Sequence, residues 1–436
     1  MRPRQSRPRL LQAMIDAFSL PDLRRRILIT ISILVIFRFV AHVPLPGVDL
    51  EALQQLFESN ALLGMFDLFS GGAMRRLSVA AMGVYPYITA SIIMMLITPI
   101  IPRLQALSQE GEAGRNKINL ITHWAVVPLA GLQGYGQLVF MQNQGVVGSA
   151  AVLPMASMVI SMIAGTIFLV WLGELITEYG IGNGISIIIF GGIVAGLPQL
   201  VGQGFLAKGN FTGLVFYLVI VLATIVVIVI FTEAHRRIPV QYAKSVFRGG
   251  RMYRQSGSTH IPLRVNSSGM IPLIFAMSVV IFPGIVASYF VNPADPGFAD
   301  TITRLFNPSA ALPMGLFYWV LYFSLAVGFT FFYTMVVFQQ QDLPGTLQRQ
   351  GGFIPGIRPG KNTSAYLSGV INRITWAGAL FLAGVAIMPF VARTVSNVQV
   401  IQLSSLGLLI VVGVVLDTMK QLEAQLVMRR YEGFIK

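Results

Sequence analysis

The sequence predicts an all-α polytopic membrane protein with ten transmembrane helices. Of its 436 residues, 55% are hydrophobic and only 11% are charged, and the mean hydropathy is +0.71. That balance belongs to chains whose solvent is largely lipid. Ten apolar runs recur along the chain, each at or near the roughly 20 residues that cross a bilayer. Finally, the lysines and arginines collect in alternate loops, as they do when one face of a membrane protein stays in the cytoplasm.

The runs fall at 27–43, 77–97, 118–140, 152–176, 185–200, 214–231, 270–291, 314–338, 374–391 and 400–416. The third is interrupted by Asn119, His123, Gln133 and Gln137, and the fifth is short. An even number of spans puts both termini on one side. That side carries 25 of the 31 basic residues, in the two tails and in the loops at 98–117, 232–269 and 339–373. The loops of the opposite side carry five, and Arg38 lies inside the first span. Both termini and the long loops are therefore expected in the cytoplasm. Leu10, Leu11, Met14, Ile15 and Phe18 share one helical face ahead of the first span, which predicts an amphipathic helix on the cytoplasmic leaflet. An acidic residue and a second arginine cluster separate the basic N-terminus from the first apolar run, so no cleavable signal peptide is expected.

Several chemistries are disfavoured. There is no cysteine, which removes disulfides and thiolate metal sites. His42, His123, His235 and His260 show no metal-ligand spacing, and no serine–lysine or serine–histidine arrangement suggests an intramembrane protease. Ion-coupled pumps carry acids deep in their spans. Here Glu174 and Asp417 sit near span ends, and Arg38 is placed to snorkel or to pair with a loop carboxylate. No enzyme and no cofactor are expected, and a passive or partner-driven conduit remains.

Three segments do not fit a plain helical bundle. Between the first and second runs, NALLGMFDLFSGGAMRR (60–76) holds an apolar stub too short to span, ending in Gly71-Gly72. In the loop at 232–269, two stretches of alternating character flank Arg248-Gly249-Gly250-Arg251, a hairpin signal with arginines at its tip. Such a tip suits an acidic partner such as ribosomal RNA, although charge alone favours a mere topology signal. In GGFIPGIRPGKNT (351–363), Pro355, Gly356, Pro359 and Gly360 bracket Arg358 on a stiff turn, more than a topology charge requires.

Four stretches taken together, MFDLFSGGAMRRLSVAAMGVYPYITASIIMML, WLGELITEYGIGNGISIIIFGGIVAGLP, QYAKSVFRGGRMYRQSGSTHIPLRVN and GGFIPGIRPGKNT, resemble the bacterial SecY family, pore subunits of the Sec protein translocon. The likeness runs from about Pro21 to the last span in matching order and spacing. It implies a ten-helix clamshell of two inverted five-helix halves, 27–205 and 206–419, between a tail at 1–26 and a tail at 420–436. It makes the stub, about 60–74, a plug half-helix that blocks the pore, built from Leu62, Leu63, Met65, Phe66, Leu68 and Phe69 and hinged at Gly71 and Gly72. Without it, a surface helix in an external loop is the simpler reading of the same residues.

By resemblance the pore ring consists of Val84 and Ile88, Ile185 and Ile189, Ile274, and Ile410. The 84/88 and 185/189 pairs share a helix face, as i,i+4 residues do, though such pairs usually mean packing or lipid contact. An apolar ring binds no translocating polypeptide strongly and excludes ions by dewetting. The resemblance further implies a lateral gate that releases apolar helices into membrane lipid, with the second and third spans facing the seventh and eighth. Pro272 and Pro283 suit a bending gate helix. It assigns Arg248, Arg251, Arg358 and Lys361 to docking of the SecA ATPase and the ribosome, with SecE and SecG as companion subunits, in the bacterial inner membrane. The hairpin departs from the commoner family pattern, reading YAKS for YAKR and RGGR where many members place adjacent arginines, with a second arm one residue longer. A ten-helix small-solute transporter is the alternative, disfavoured by the lack of deep acids and the size of the basic loops.

Overall fold

The structure, a computed structural model, describes residues 20–59, 67, 70–148, 152–206, 211–248, 251–288, 297–307, 310, 314–396 and 405–432. The amphipathic helix expected at 10–18 lies outside them. Each of the ten apolar runs carries a helix. In chain order the helices are α1 (Pro21–Val40), α2 (Leu50–Ser59), α3 (Tyr85–Ile97), α4 (Pro102–Gln109), α5 (Glu112–Asn143), α6 (Val152–Tyr179) and α7 (Gly184–Leu206). They continue as α8 (Phe211–Glu233), α9 (Ile271–Ser288), α10 (Phe298–Leu305), α11 (Met314–Gln341), α12 (Leu343–Arg349), α13 (Lys361–Ser396) and α14 (Ser405–Glu432). Among the described residues the exception to the all-α rule is one sheet, built from β1 (His235–Arg248), β2 (Arg251–Arg264) and the two-residue β3 (Gly352–Phe353).

Among the described residues, three helical stretches are long and apolar enough to cross a bilayer by themselves: Val152–Tyr179, Met314–Arg349 and Lys361–Val391. The bent pair α3 and α4, angled at 99°, makes a fourth. Length and hydropathy alone thus do not reproduce a count of ten, although the ten helices coincide with the ten runs. Large apolar side chains stand exposed along several of them, including Phe39, Trp124, Leu132, Ile160 and Phe282. A water-soluble surface rarely tolerates so much exposed apolar area, and lipid explains it. The chain is a multi-pass membrane protein.

The second run is not the single helix expected over 77–97. The helix begins only at Tyr85, with Pro86 in its first turn, where the missing N–H costs nothing. Ahead of it the backbone turns repeatedly, through a 3₁₀ turn at Met74–Arg76, Leu77 at φ 38° and Gly83 at φ 56°. Left-handed residues cannot continue an α-helix, so 77–84 forms a folded lead-in. The third run lies inside a longer helix, α5, which continues through Pro128.

The chain divides into two compact units. The first comprises Met1–Asn210, Gly284–Ala310 and Gln399–Lys436, and the second Phe211–Pro283 and Ala311–Val398. The last helix therefore groups with the N-terminal residues. The cause is local: Leu422 on α14 is buried with Leu23 and Ile181, and Thr418 stands close to Gly182.

In the first unit, α2, the 3₁₀ turn and parts of α5 and α6 enclose a core that includes Leu53, Leu77, Leu138, Met141 and Met162. Asp49 caps α2, its carboxylate accepting from the backbone N–H of Glu51 at 2.9 Å and of Ala52 at 3.2 Å. In the second unit, β1 pairs antiparallel with β2 over 14 residues, from His235↔Arg264 to Arg248↔Arg251. β3 adds to the other edge of β1 at Gln241↔Phe353 and Tyr242↔Gly352.

Candidate channel elements

In the first unit a close-packed cluster surrounds the glycine hinge. Gly71 and Gly72 both have positive φ, 67° and 84°, which a side chain rarely permits. Gly71 lies against Gly192 of α7: a Cβ at position 192 would come 2.5 Å from Gly71 Cα, and one at 71 would come 2.9 Å from the ring of Phe37. Two backbones can approach this closely only if both residues are glycine. Arg38, also on α1, donates to the Gly71 carbonyl at 2.6 Å. The sequence suggested an interfacial or carboxylate partner for Arg38; the partner is this carbonyl, a charge-assisted bond that fixes the turn to the first span.

Asp67 closes the other side of the turn. Its Oδ2 accepts from Arg75 Nε at 2.7 Å and its Oδ1 from the Arg75 backbone N–H at 3.2 Å, while its carbonyl accepts from Gly72 N–H and Ser70 Oγ, both at 3.0 Å. Ser70 Oγ in turn accepts from Met74 N–H at 3.0 Å. Burial pushes the Asp67 carboxyl above its ordinary range, and the charge and hydrogen bonds of Arg75 pull the other way. Leu62, Leu63, Met65, Phe66, Leu68 and Phe69 lie outside the described residues, so what the structure gives of the stub is its anchored base.

Of the six ring candidates, five belong to the first unit and Ile274 to the second. Val84 is buried immediately before α3 and Ile88 is half-buried one turn later. Ile185 packs on Gly173 of α6, and Ile189 lies three residues before Gly192, on the helix that receives the hinge. Ile410 is buried on α14, the helix that packs on α7. Ile274 is buried in the first turn of α9, and the neighbouring Phe275 stacks on Phe329 of α11 with ring centroids 5.5 Å apart.

Sequence reading treated His123 as isolated. On α5, its Nε2 lies 2.9 Å from Glu174 Oε1 of α6, and its ring tilts against Tyr87 of α3 at 5.6 Å. A polar contact thus ties α5 to α6, and a ring contact ties α5 to α3. The interruption of the third run by Asn119 and His123 was its only trace in the sequence.

The docking candidates sit on the second unit. Ile238, Val240, Leu263, Leu347, Ile354, Leu367 and Val370 form one buried core linking the hairpin base, α12, β3 and α13. Ile354 and Ile357 anchor the turn that presents Arg358, whose side chain is exposed and whose carbonyl accepts from Thr363 Oγ1 at 3.1 Å. Gly356 and Gly360 flank it at positive φ, in a turn packed through Ile354 and Ile357. Lys361, expected in the loop, is the exposed first residue of α13. Arg248 and Arg251 pair across the end of the hairpin ladder.

These elements can be set beside known proteins. The sequence model of the SecY family matches residues 78–419. The chain belongs to the SecY family. It is 42% identical to the protein translocase subunit SecY of Streptomyces lividans, over 98% of this chain and all of that one. Against the subunit of the same name from Thermotoga maritima the identity is 40%, over 98% of each chain. Among solved structures, one described as a protein-conducting channel superposes with a TM-score of 0.65 at 16% identity, covering 95% of this chain and 97% of that one. The canine Sec61 of a ribosome-channel complex superposes with the same TM-score at 15% identity, with the same coverage. Those two establish the fold. Nothing in these matches supports the solute-transporter alternative.

Proposed function

We propose that this chain is the central protein-conducting channel of a bacterial Sec translocon. It passes unfolded secretory polypeptides across the inner membrane and releases apolar helices sideways into lipid. The observation that carries the reading, beside family membership, is the seat of Gly71 on Gly192 with Arg38 at its carbonyl. A segment that must block a pore and later leave it needs a fixed base on the pore-forming helices, and this base lies within one turn of Ile189. Leu62 to Phe69 form the plug on this base, and Val84, Ile88, Ile185, Ile189, Ile274 and Ile410 form the ring it covers. Their aliphatic side chains seal by dewetting and grip no passing side chain strongly.

Both termini face the cytoplasm, as the basic loops favour. Arg248, Arg251, Arg358 and Lys361 form the cytoplasmic platform for SecA and for ribosomal RNA, SecE clamps the halves 27–205 and 206–419, and SecG is accessory. The apolar core beneath Arg358 supports this, because a docking arginine works best on a mount that does not yield. The absence of native cysteine supplies the test. With Ile189→Cys, a single-cysteine secretory precursor stalled midway through export is expected to form a stall-dependent disulfide on oxidation. If an engaged precursor gives no such crosslink, the polypeptide path does not pass this ring.

A further inference from the structure

The first turn of α9, which carries Ile274, is softly held by its own backbone. The chain enters it through Gly269 at φ 63°, and Pro272 brings no N–H to the turn. One carbonyl, that of Met270, accepts from both Leu273 N–H at 3.1 Å and Ile274 N–H at 3.4 Å. The second of these is beyond the usual range for such a bond. Side chains of α11 supply further ties. Tyr318, Tyr322 and Phe329, spaced by four and then seven residues, share one face of that helix. Tyr322 Oη donates to the Leu273 carbonyl at 3.5 Å, and Phe329 stacks on Phe275 of α9. Tyr322 is 3% exposed and Leu273 fully buried, so water does not compete for the phenolic proton. The phenol ring is itself wedged beside Tyr318 and Trp319, at 6.1 and 6.4 Å, and Trp319 packs on Phe390 of α13 at 5.7 Å. All of these residues belong to the second unit.

The carbonyl that Tyr322 holds lies in the same peptide plane as the Ile274 nitrogen. A planar peptide moves as one body, so a group that fixes its oxygen also fixes the start of the next residue. We infer that Tyr322 is a positioning residue for the pore ring: its hydroxyl fixes the Leu273–Ile274 peptide and thereby sets where the Ile274 side chain stands in the resting channel. The inference rests on the reading of Ile274 as a ring member. A bond of this length is weak, which suits a ring that must give way to a passing polypeptide. When the bond yields, the stack of Phe275 on Phe329 keeps α9 and α11 together, so Ile274 has a place to return to.

The chain has no cysteine, so Ile274→Cys is a unique thiol. Its labelling by a charged, water-soluble maleimide is followed in the resting channel, with Tyr322 in place or with Tyr322→Phe, which keeps the ring and removes only the hydroxyl. The same thiol is then oxidised against a single-cysteine precursor stalled midway through export, which tests separately whether Ile274 lines the path. The expected result is a stall-dependent disulfide in both backgrounds, with labelling about 5-fold faster in Tyr322→Phe, as one lost hydrogen bond allows. With para-fluorophenylalanine at position 322, which fills the space of the hydroxyl without donating, labelling should be as fast as in Tyr322→Phe. Slow labelling of the fluorinated variant would mean that the hydroxyl only fills space, and it overturns the inference. Unchanged labelling in Tyr322→Phe beside an intact disulfide overturns it too, and leaves the ring reading standing. An engaged precursor that forms no disulfide in either background strikes the ring reading itself, and the role of Tyr322 falls with it.

Discussion

At Gly71-Gly72 the chain is held by one guanidinium, one buried carboxylate and the direct approach of two backbones. Beneath Arg358 it is held by a core of seven buried apolar residues. The first kind of attachment is directional and made of few bonds, set beside the apolar core that takes up Met74 and Leu77, so losing one of the bonds loosens the turn. The second spreads its stabilisation over many weak contacts, none of which decides the outcome alone. A plug base, the role proposed for the hinge, must hold a position and be able to abandon it. A docking platform, the role proposed for the Arg358 turn, must keep its shape while partners push on it. The contrast in materials is the one that those proposed tasks require.

The comparison breaks most visibly if a charge is placed in the platform. Val240→Asp buries an unpaired carboxylate where no side-chain surface meets solvent, at a cost of about 4 kcal/mol. Limited proteolysis of inverted vesicles should then cleave within 232–269 and SecA-driven export should fail, with Arg358 itself untouched. Continued protease resistance would mean that the core does not hold the hairpin. Next in size is Gly192→Ala, whose Cβ cannot coexist with Gly71 as placed; the collision costs about 1–3 kcal/mol, visible as a lowered melting temperature in detergent.

Asp67→Ala strands the Arg75 backbone N–H and breaks the ion pair, for about 1–2 kcal/mol. Protease access at the 70–76 turn should rise, while the hairpin of the other unit stays resistant. The smallest effect belongs to His123→Gln, which weakens a partly exposed contact with Glu174 and should shift thermal stability by under about 1 kcal/mol. A larger loss would mean that the pair is a main tie among α3, α5 and α6.

The two regions were also unequally legible. Hydropathy put a helix on each apolar run, because burial in lipid acts on each residue of a run independently. It missed the late start of the second, and only three described stretches, or four with the bent pair, are long and apolar enough to span by themselves. The hairpin was readable from Gly249-Gly250 between alternating stretches, and the rigid mount of Arg358 from its bracketing prolines and glycines. At the hinge the residue types were visible and the partners were not. Arg38 meets a backbone carbonyl 33 residues away, and carbonyls carry no sequence signature. Gly192 reads as an ordinary helical glycine until Gly71 is placed on it. The late start of α3 depends on left-handed residues at Leu77 and Gly83, the first of which no propensity favours.

The most direct test sets one substitution from each region side by side in planar bilayers. Gly192→Ala and Ile354→Ala each disturb packing, the latter by about 2–5 kcal/mol through a cavity. Resting ion conductance is measured without precursor or SecA. If the hinge holds the plug and the platform only mounts the docking arginine, Gly192→Ala leaks and Ile354→Ala stays as tight as the unsubstituted protein. A tight Gly192→Ala channel, or equal leaks from both, would contradict that division of labour.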